Sequence, residues 1–225
     1  MRKLLLAAAA VAFSVSPAHA ATFATSIAGP DTAMPTGLLS IDFNEATALS
    51  DIQGLSGNGQ IVQGSVAGQY AQPFGGTTRY LSVPRDGSTG AVTLDLTGYD
   101  FGGTVNRFSF YWGSIDLYNS LRINSSLGTM NFAFDGLNGN PPANGAQQAP
   151  NNSLRVYFDL AEGETLNSIE FVSTAMAFEL DDIVFEGTPA VPEPASWAMM
   201  IGGFGMIGGS LRSARREGKM QLQVA

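Results

Sequence analysis

The chain has 225 residues, no cysteine and a single histidine, His19, so disulfides, His- or Cys-based catalysis and the usual zinc ligand sets are closed to nearly all of it. Between residues 21 and 188 seventeen acids face five arginines (Arg79, Arg85, Arg107, Arg122 and Arg155) and no lysine, a net charge of about −12 that lacks the counter-charge for a phosphate backbone and excludes a nucleic-acid role. About 170 residues between the two ends make one domain, long enough to bury a core without cross-links.

In chain order, Met1-Arg2-Lys3 gives a positive start, Leu4 to Val15 an apolar run, and Ala18-His19-Ala20 a small-x-small site ahead of Ala21. This layout predicts a secretory signal peptide over residues 1–20, cleaved after Ala20. The apolar run is too short for a hydrocarbon core of ~30 Å, so it is not expected to stay as an anchor.

From Ala21 to Thr188 the hydrophobic period is two. Val92/Leu94/Leu96, Phe108/Phe110/Trp112, Leu121/Ile123, Met130/Phe132/Phe134, Leu154/Val156/Phe158 and Ile169/Phe171 each alternate with polar or small residues, the pattern of half-buried strands. Earlier strands are expected at Gly37 to Phe43, Gln60 to Gln63, Ser65 to Tyr70 and Arg79 to Val83. A last one runs from Met176 to Phe185 with a bend near Asp181-Asp182. Only Glu45 to Ile52 suits a short helix, and Asp135 to Asn152, rich in Pro and Asn, reads as a long rim loop. Many short strands with turn residues between them predict an all-β fold, an antiparallel β-sandwich of jelly-roll type.

Three kinds of site can be sought in this domain. Tyr111, Trp112 and Tyr118 could form an aromatic platform for sugar stacking, although period-two placement equally puts large aromatics in the core. Asp181, Asp182 and Glu45 are hard oxygen ligands, but without an ordered ligand ladder no metal site is expected, and no cofactor. Seventeen acids offer many carboxylate pairs for glycoside chemistry, and the sequence singles out none of them, so no catalytic residue is assigned.

Residues 189–225 form the tail. Ala195 to Leu211 carries no charge, and Arg212-Ser213-Ala214-Arg215-Arg216 follows directly, which predicts a single, short transmembrane helix with a basic stop at Arg212, Arg215 and Arg216. Ahead of it, Pro192 and Pro194 bias the chain to an extended form that presents Glu193, and Trp197 suits a membrane interface.

The string Val191-Pro192-Glu193-Pro194-Ala195-Ser196-Trp197-Ala198, followed by the apolar run and the arginines, resembles the PEP-CTERM sorting domain of Gram-negative bacteria in its PEPxxWA form. In that family the Pro-Glu-Pro motif is read by an exosortase, a membrane cysteine protease or transpeptidase usually encoded beside exopolysaccharide systems. The resemblance implies a sorting motif at Pro192, Glu193, Pro194, Trp197 and Ala198. It also implies export across the inner membrane, transient anchoring there, and a cell-surface or extracellular form after processing. This chain departs from the pattern by continuing from Glu217 to Ala225 after the arginines. Phe110 to Asn119 and Ala177 to Ile183 are also similar to strings in exosortase-dependent surface proteins and secreted jelly rolls. The expectation is a non-enzymatic surface or matrix protein associated with exopolysaccharide. A carbohydrate-binding module, and a polysaccharide hydrolase or lyase, stand as alternatives.

Overall fold

A computed structural model of the chain describes residues 25–26, 34–134, 143–147, 153–191 and 194–221, and within the last stretch the side chains of 197–212. The expected signal peptide with Ala18 and Ala20, most of the Asp135 to Asn152 loop, Pro192 and Glu193 lie outside the described residues.

The described strands pair antiparallel throughout and form two sheets. In chain order they are β1 (Thr25–Ser26), β2 (Leu39–Ile41), β3 (Leu55–Gly57), β4 (Gln60–Val62), β5 (Tyr80–Val83), β6 (Gly90–Asp95), β7 (Gly103–Gly113), β8 (Asn119–Ser125), β9 (Gly128–Phe132), β10 (Leu154–Asp159), β11 (Leu166–Ser173) and β12 (Phe178–Pro189). The larger sheet runs β1-β10-β7-β12-β5-β4, with β2 also on β12, and the smaller runs β3-β6-β11-β8-β9. The two sheets face each other across the apolar residues that set the period of two, so the chain is an antiparallel β-sandwich.

The core is aromatic. From β7, Phe110 meets Phe171 of β11 edge to face at 5.5 Å, and Trp112 stacks on Phe178 of β12 at 4.4 Å. Phe158 of β10 meets Phe132 of β9 at 5.1 Å, which closes the far side of the same layer. Each such pair adds about 0.5–1.5 kcal/mol beyond the area it buries.

The bend expected in the last strand is present: Asp182 sits at φ 51°, and the β12–β7 register shifts between Asp181 and Val184. Two local expectations need correction. Ser65 to Tyr70 is not a strand but a turn closed by Val66 N donating to Tyr70 O at 2.9 Å, because Ala67-Gly68-Gln69 offers no apolar face to bury. The expected helix at Glu45 to Ile52 shrinks to one 3-10 turn, Leu49–Asp51, held by Asp51 accepting from the Thr47 and Ala48 amides.

The outer face of the larger sheet is buried as well. Ser109, Tyr111 and Gly113 of β7 point away from the aromatic core, yet Tyr111 and Ser109 are fully buried, as is Arg155 on the neighbouring β10. The cover is the β4–β5 connection. Tyr111 Oη donates to the Phe74 carbonyl at 2.8 Å, and a Cβ on Gly113 would press on Pro73 Cγ at 2.8 Å, so glycine is what lets the cover approach.

The C-terminal helix α1 spans Pro194–Gln221. Proline is favoured at the first helical position, where its missing N–H has no partner to lose. The expected transmembrane span is corrected: among the described residues no helix is long and apolar enough to cross a membrane. The reason lies in the sequence. The uncharged run from Ala195 to Leu211 is interrupted by Gly202, Gly203, Gly205, Gly208 and Gly209, which add almost no transfer free energy, whereas a span needs about 20 predominantly apolar residues.

Candidate functional site

Two places carry the chemistry. The first is the junction between sandwich and tail. β12 ends at Pro189, the Ala190 amide donates to the Gly102 carbonyl at 2.8 Å, and Val191 is 77% exposed. Beyond that point the helix shows apolar side chains on every side: Met199, Ile201, Phe204, Met206 and Leu211 are all exposed, with Trp197 half-exposed. A helix apolar all round is suited to burial in lipid or in another protein. Its glycines weaken it in water by about 1 kcal/mol each relative to alanine. Of the expected motif, Trp197 lies in the first turns of α1 and Arg212 is exposed near the end of its described side chains; the side chains of Pro194, Arg215 and Arg216 are outside them.

The second place is a cleft of about 590 Å³ at one rim of the sandwich. Four connections converge there: the turn Ser65 to Tyr70, the β7–β8 link with Ser114, Asp116 and Tyr118, the segment Asn144 to Gln147, and the β11–β12 link leading into Glu179. The β7–β8 link is pinned from both sides. Tyr118 Oη donates to the Met176 carbonyl at 2.8 Å, and Asn119 donates to the Ala177 carbonyl at 3.1 Å while accepting from Ser173 at 2.7 Å. Asp116 pairs across a short bridge with Asn144. Gly145, at φ +64°, comes so close to the Asp116 carboxylate that a Cβ could not fit.

Glu179 is the unusual member. It is 2% exposed, its Oε1 accepts from the Ala71 amide at 2.8 Å, and its Oε2 has no partner. The Ser114 hydroxyl, 3% exposed, is also unpartnered. A buried polar atom left without a partner costs about 1–3 kcal/mol, and here two such atoms belong to residues that line the same cleft. Burial raises the Glu179 carboxyl well above the usual 4.5, and the nearby charge of Asp116 adds to the shift. Burial raises Asp116 too, and lifts the phenol of Tyr118.

That shift gives a pH dependence with a definite sign. With its pKa higher folded than unfolded, Glu179 binds a proton in the folded chain that the unfolded chain releases, so its contribution to stability falls as pH rises above about 4.5. Glu179→Gln removes the titration. The urea midpoint of the variant relative to wild type should therefore increase between pH 4 and pH 7, and a constant difference would show that Glu179 titrates normally.

The aromatic platform is not formed as expected. Tyr111 and Trp112 are 0% exposed, one under the β4–β5 cover and the other between the sheets, and only Tyr118, half-buried, reaches the cleft. Tyr111 and Trp112 are neighbours on β7 and leave it in opposite directions, and Tyr118 lies beyond it in the β7–β8 link. Asp181 and Asp182 do not join Glu45 in a cluster, and among the described residues no group of three or more acidic or histidine side chains is placed to hold a metal. Asp182 instead faces Arg155, Nη2 to Oδ2 at 3.7 Å, beneath the cover. Sequence reasoning missed Glu179. The signal was a carboxylate between two core residues, Phe178 and Leu180, with Ala71 more than a hundred residues away as its partner.

The comparisons bear mainly on the tail. No curated protein matches the chain. Among solved structures it is similar to a family 6 carbohydrate-binding module (14% identity, TM-score 0.34, covering 67% of this chain and 94% of that one). It is also similar to the module CsCBM6-3 from Clostridium stercorarium in complex with cellobiose (13%, 0.35, 67% and 94%). A third is an exo-beta-1,3-galactanase from Phanerochaete chrysosporium (18%, 0.34, 65% and 29%). At those TM-scores the likenesses carry no argument about ligand or activity. Residues 190–216 match the family model described as the PEP-CTERM protein-sorting motif, and they include the Pro-Glu-Pro string, the uncharged run and the arginines. The chain thus carries a PEP-CTERM protein-sorting motif at the end of its β-sandwich.

Proposed function

We propose that the chain is an exported, exosortase-processed protein of the cell surface or extracellular matrix, non-enzymatic, whose sandwich associates with exopolysaccharide. In this reading residues 1–20 are a signal peptide cleaved at Ala18-His19-Ala20, residues 21–188 are the exported domain, and residues 189–225 are the sorting tail. The observation that carries it is the motif at 190–216 standing directly after the last core strand. Removal of everything beyond Val191 would cost the sandwich none of its buried residues, so a processing enzyme can take the tail without unfolding the cargo. Pro192, Glu193 and Pro194 are the residues to be read, Trp197 and Ala198 hold the register, and Arg212, Arg215 and Arg216 form the basic end of the motif. Before processing, the tail is held at the inner membrane. The high negative charge of the domain keeps the released form soluble and self-repelling. A carbohydrate-binding role is the second reading, favoured by the polar rim cleft with its unpartnered Glu179 and Ser114.

Fractionation of the producing cells tests the tail. The triple substitution Pro192→Ala, Glu193→Ala and Pro194→Ala should leave most of the protein in the membrane fraction at its unprocessed size, with at least a tenfold loss of the surface or released form. Equal release of variant and wild type would exclude the motif as the processing signal.

A further inference from the structure

Electrostatics narrows what the rim cleft can take. Asp116 lines it, and among the described residues no Lys or Arg does, so a phosphate, sulfate or uronic acid would find no counter-charge there. A volume of about 590 Å³ lies within the range of small-molecule sites and has room for one or two sugar rings. Its floor holds two polar groups, Glu179 Oε2 and Ser114 Oγ, that the fold buries without a hydrogen-bond partner, and its walls hold Tyr70 and Tyr118, both half-buried. Both atoms belong to residues that line one open cleft, where a ligand can supply the hydrogen bonds that the fold leaves unmade.

We propose that this cleft is a binding subsite for an uncharged sugar residue of a surface polysaccharide, with Glu179, Asp116 and Ser114 meeting its hydroxyls and Tyr70 and Tyr118 forming its apolar walls. The proposal rests on the reading that the sandwich associates with exopolysaccharide. Hydroxyls suit this floor because each is both donor and acceptor, and so can satisfy a carboxyl and a serine hydroxyl at once. A divalent cation suits it less. Among the described residues no three acidic or histidine side chains converge, and burial holds Glu179 toward its protonated form, which is a poor metal ligand. Asn144 and Gln147, exposed at the lip, would read the next unit along the chain.

The test uses the full chain and two variants. Glu179→Gln keeps the shape and the Ala71 contact but changes the hydrogen-bond character of Oε2. Tyr70→Ala removes a wall residue that is outside the core, and so guards against loss of fold at position 179. Affinity electrophoresis through the producing cell's own polysaccharide should retard the wild type. Calorimetry against tetrasaccharides of glucose, galactose, mannose or xylose should then find at least one that binds, with the dissociation constant at least tenfold higher in both variants and no binding of oligogalacturonate. Retardation of wild type and both variants alike would overturn the cleft while leaving the exopolysaccharide association standing. No retardation would remove the association, and the tetrasaccharides then decide alone: binding weakened in both variants supports the subsite, and no binding overturns it. Tight binding of Ca²⁺ alone, abolished by Glu179→Gln, would overturn the proposal in favour of a cation site.

Discussion

Trp112→Ala should lower the free energy of unfolding by about 3–5 kcal/mol, the range for truncating a large buried aromatic. Trp112 is 0% exposed between the sheets, stacked on Phe178 at 4.4 Å, edge-on to Phe134 at 5.1 Å and tilted against Phe110 at 5.7 Å. Alanine would leave a void ringed by aromatic side chains that strands β7, β9 and β12 hold in place, so little of it can collapse. With a urea slope of about 1–3 kcal/mol per M for a domain of this size, the midpoint should fall by more than 1 M. Trp112→Phe should cost much less, because it keeps most of the stack and removes an indole N–H that is buried without a partner. A loss under 1 kcal/mol for the alanine variant would mean that Trp112 is not a core residue, and would bring back the aromatic platform.

Arg155→Met should be of similar size, about 3–5 kcal/mol, for an electrostatic reason. Arg155 is 0% exposed under the β4–β5 cover. Its Nη1 donates to the Asp182 carbonyl at 2.9 Å and to Ser109 Oγ at 3.2 Å, and its Nη2 stands 3.7 Å from the Asp182 carboxylate. Burial lowers the guanidinium pKa and the charge of Asp182 opposes that, but the group stays charged at neutral pH. Methionine fills much of the same space and leaves Asp181 and Asp182 buried without their counter-charge, and that uncompensated charge is the main cost. Arg155→Lys should recover part of the loss, since it restores the charge but not the planar guanidinium whose Nη1 donates to Ser109 and Asp182 while Nη2 faces the Asp182 carboxylate. Equilibrium urea unfolding of the three proteins gives the order wild type, lysine, methionine. Equal stability of lysine and methionine variants would show that geometry and not charge is what the site requires.

The same residues explain how much of the fold could be read in the sequence. Period two located β6 to β11 because one face of each strand is apolar and lies against the opposite sheet, and Asp181-Asp182 marked the bend because two acids interrupt an apolar strand. β3 escaped because Leu55–Gly57 buries only Leu55, and the serine and glycine that follow are exposed and carry no apolar signal. The covered outer face of the larger sheet escaped for a different reason. Ser109, Arg155, Glu179 and Asp181 alternate with the core residues as solvent-facing residues do, and nothing local says that a connection from residues 63–79 lies over them.

The two sites differ in the same way. The sorting motif is one contiguous string whose order of proline, tryptophan, apolar run and arginine is itself the signal, so it was legible residue by residue. The rim cleft is assembled from Tyr70, Ser114, Asp116, Tyr118 and Glu179, brought together by the β4–β5, β7–β8 and β11–β12 links. Reading Tyr111, Trp112 and Tyr118 as one surface failed because neighbours on a strand face opposite sides.

The mass of the C-terminal peptide of the mature protein, taken from producing cells with and without the exosortase, tests the central claim most directly. The account predicts a chain that ends ahead of Trp197 in normal cells and one that keeps residues 197–216 when the enzyme is missing. Surface or released protein that carries Trp197 to Arg216 in both strains would contradict it.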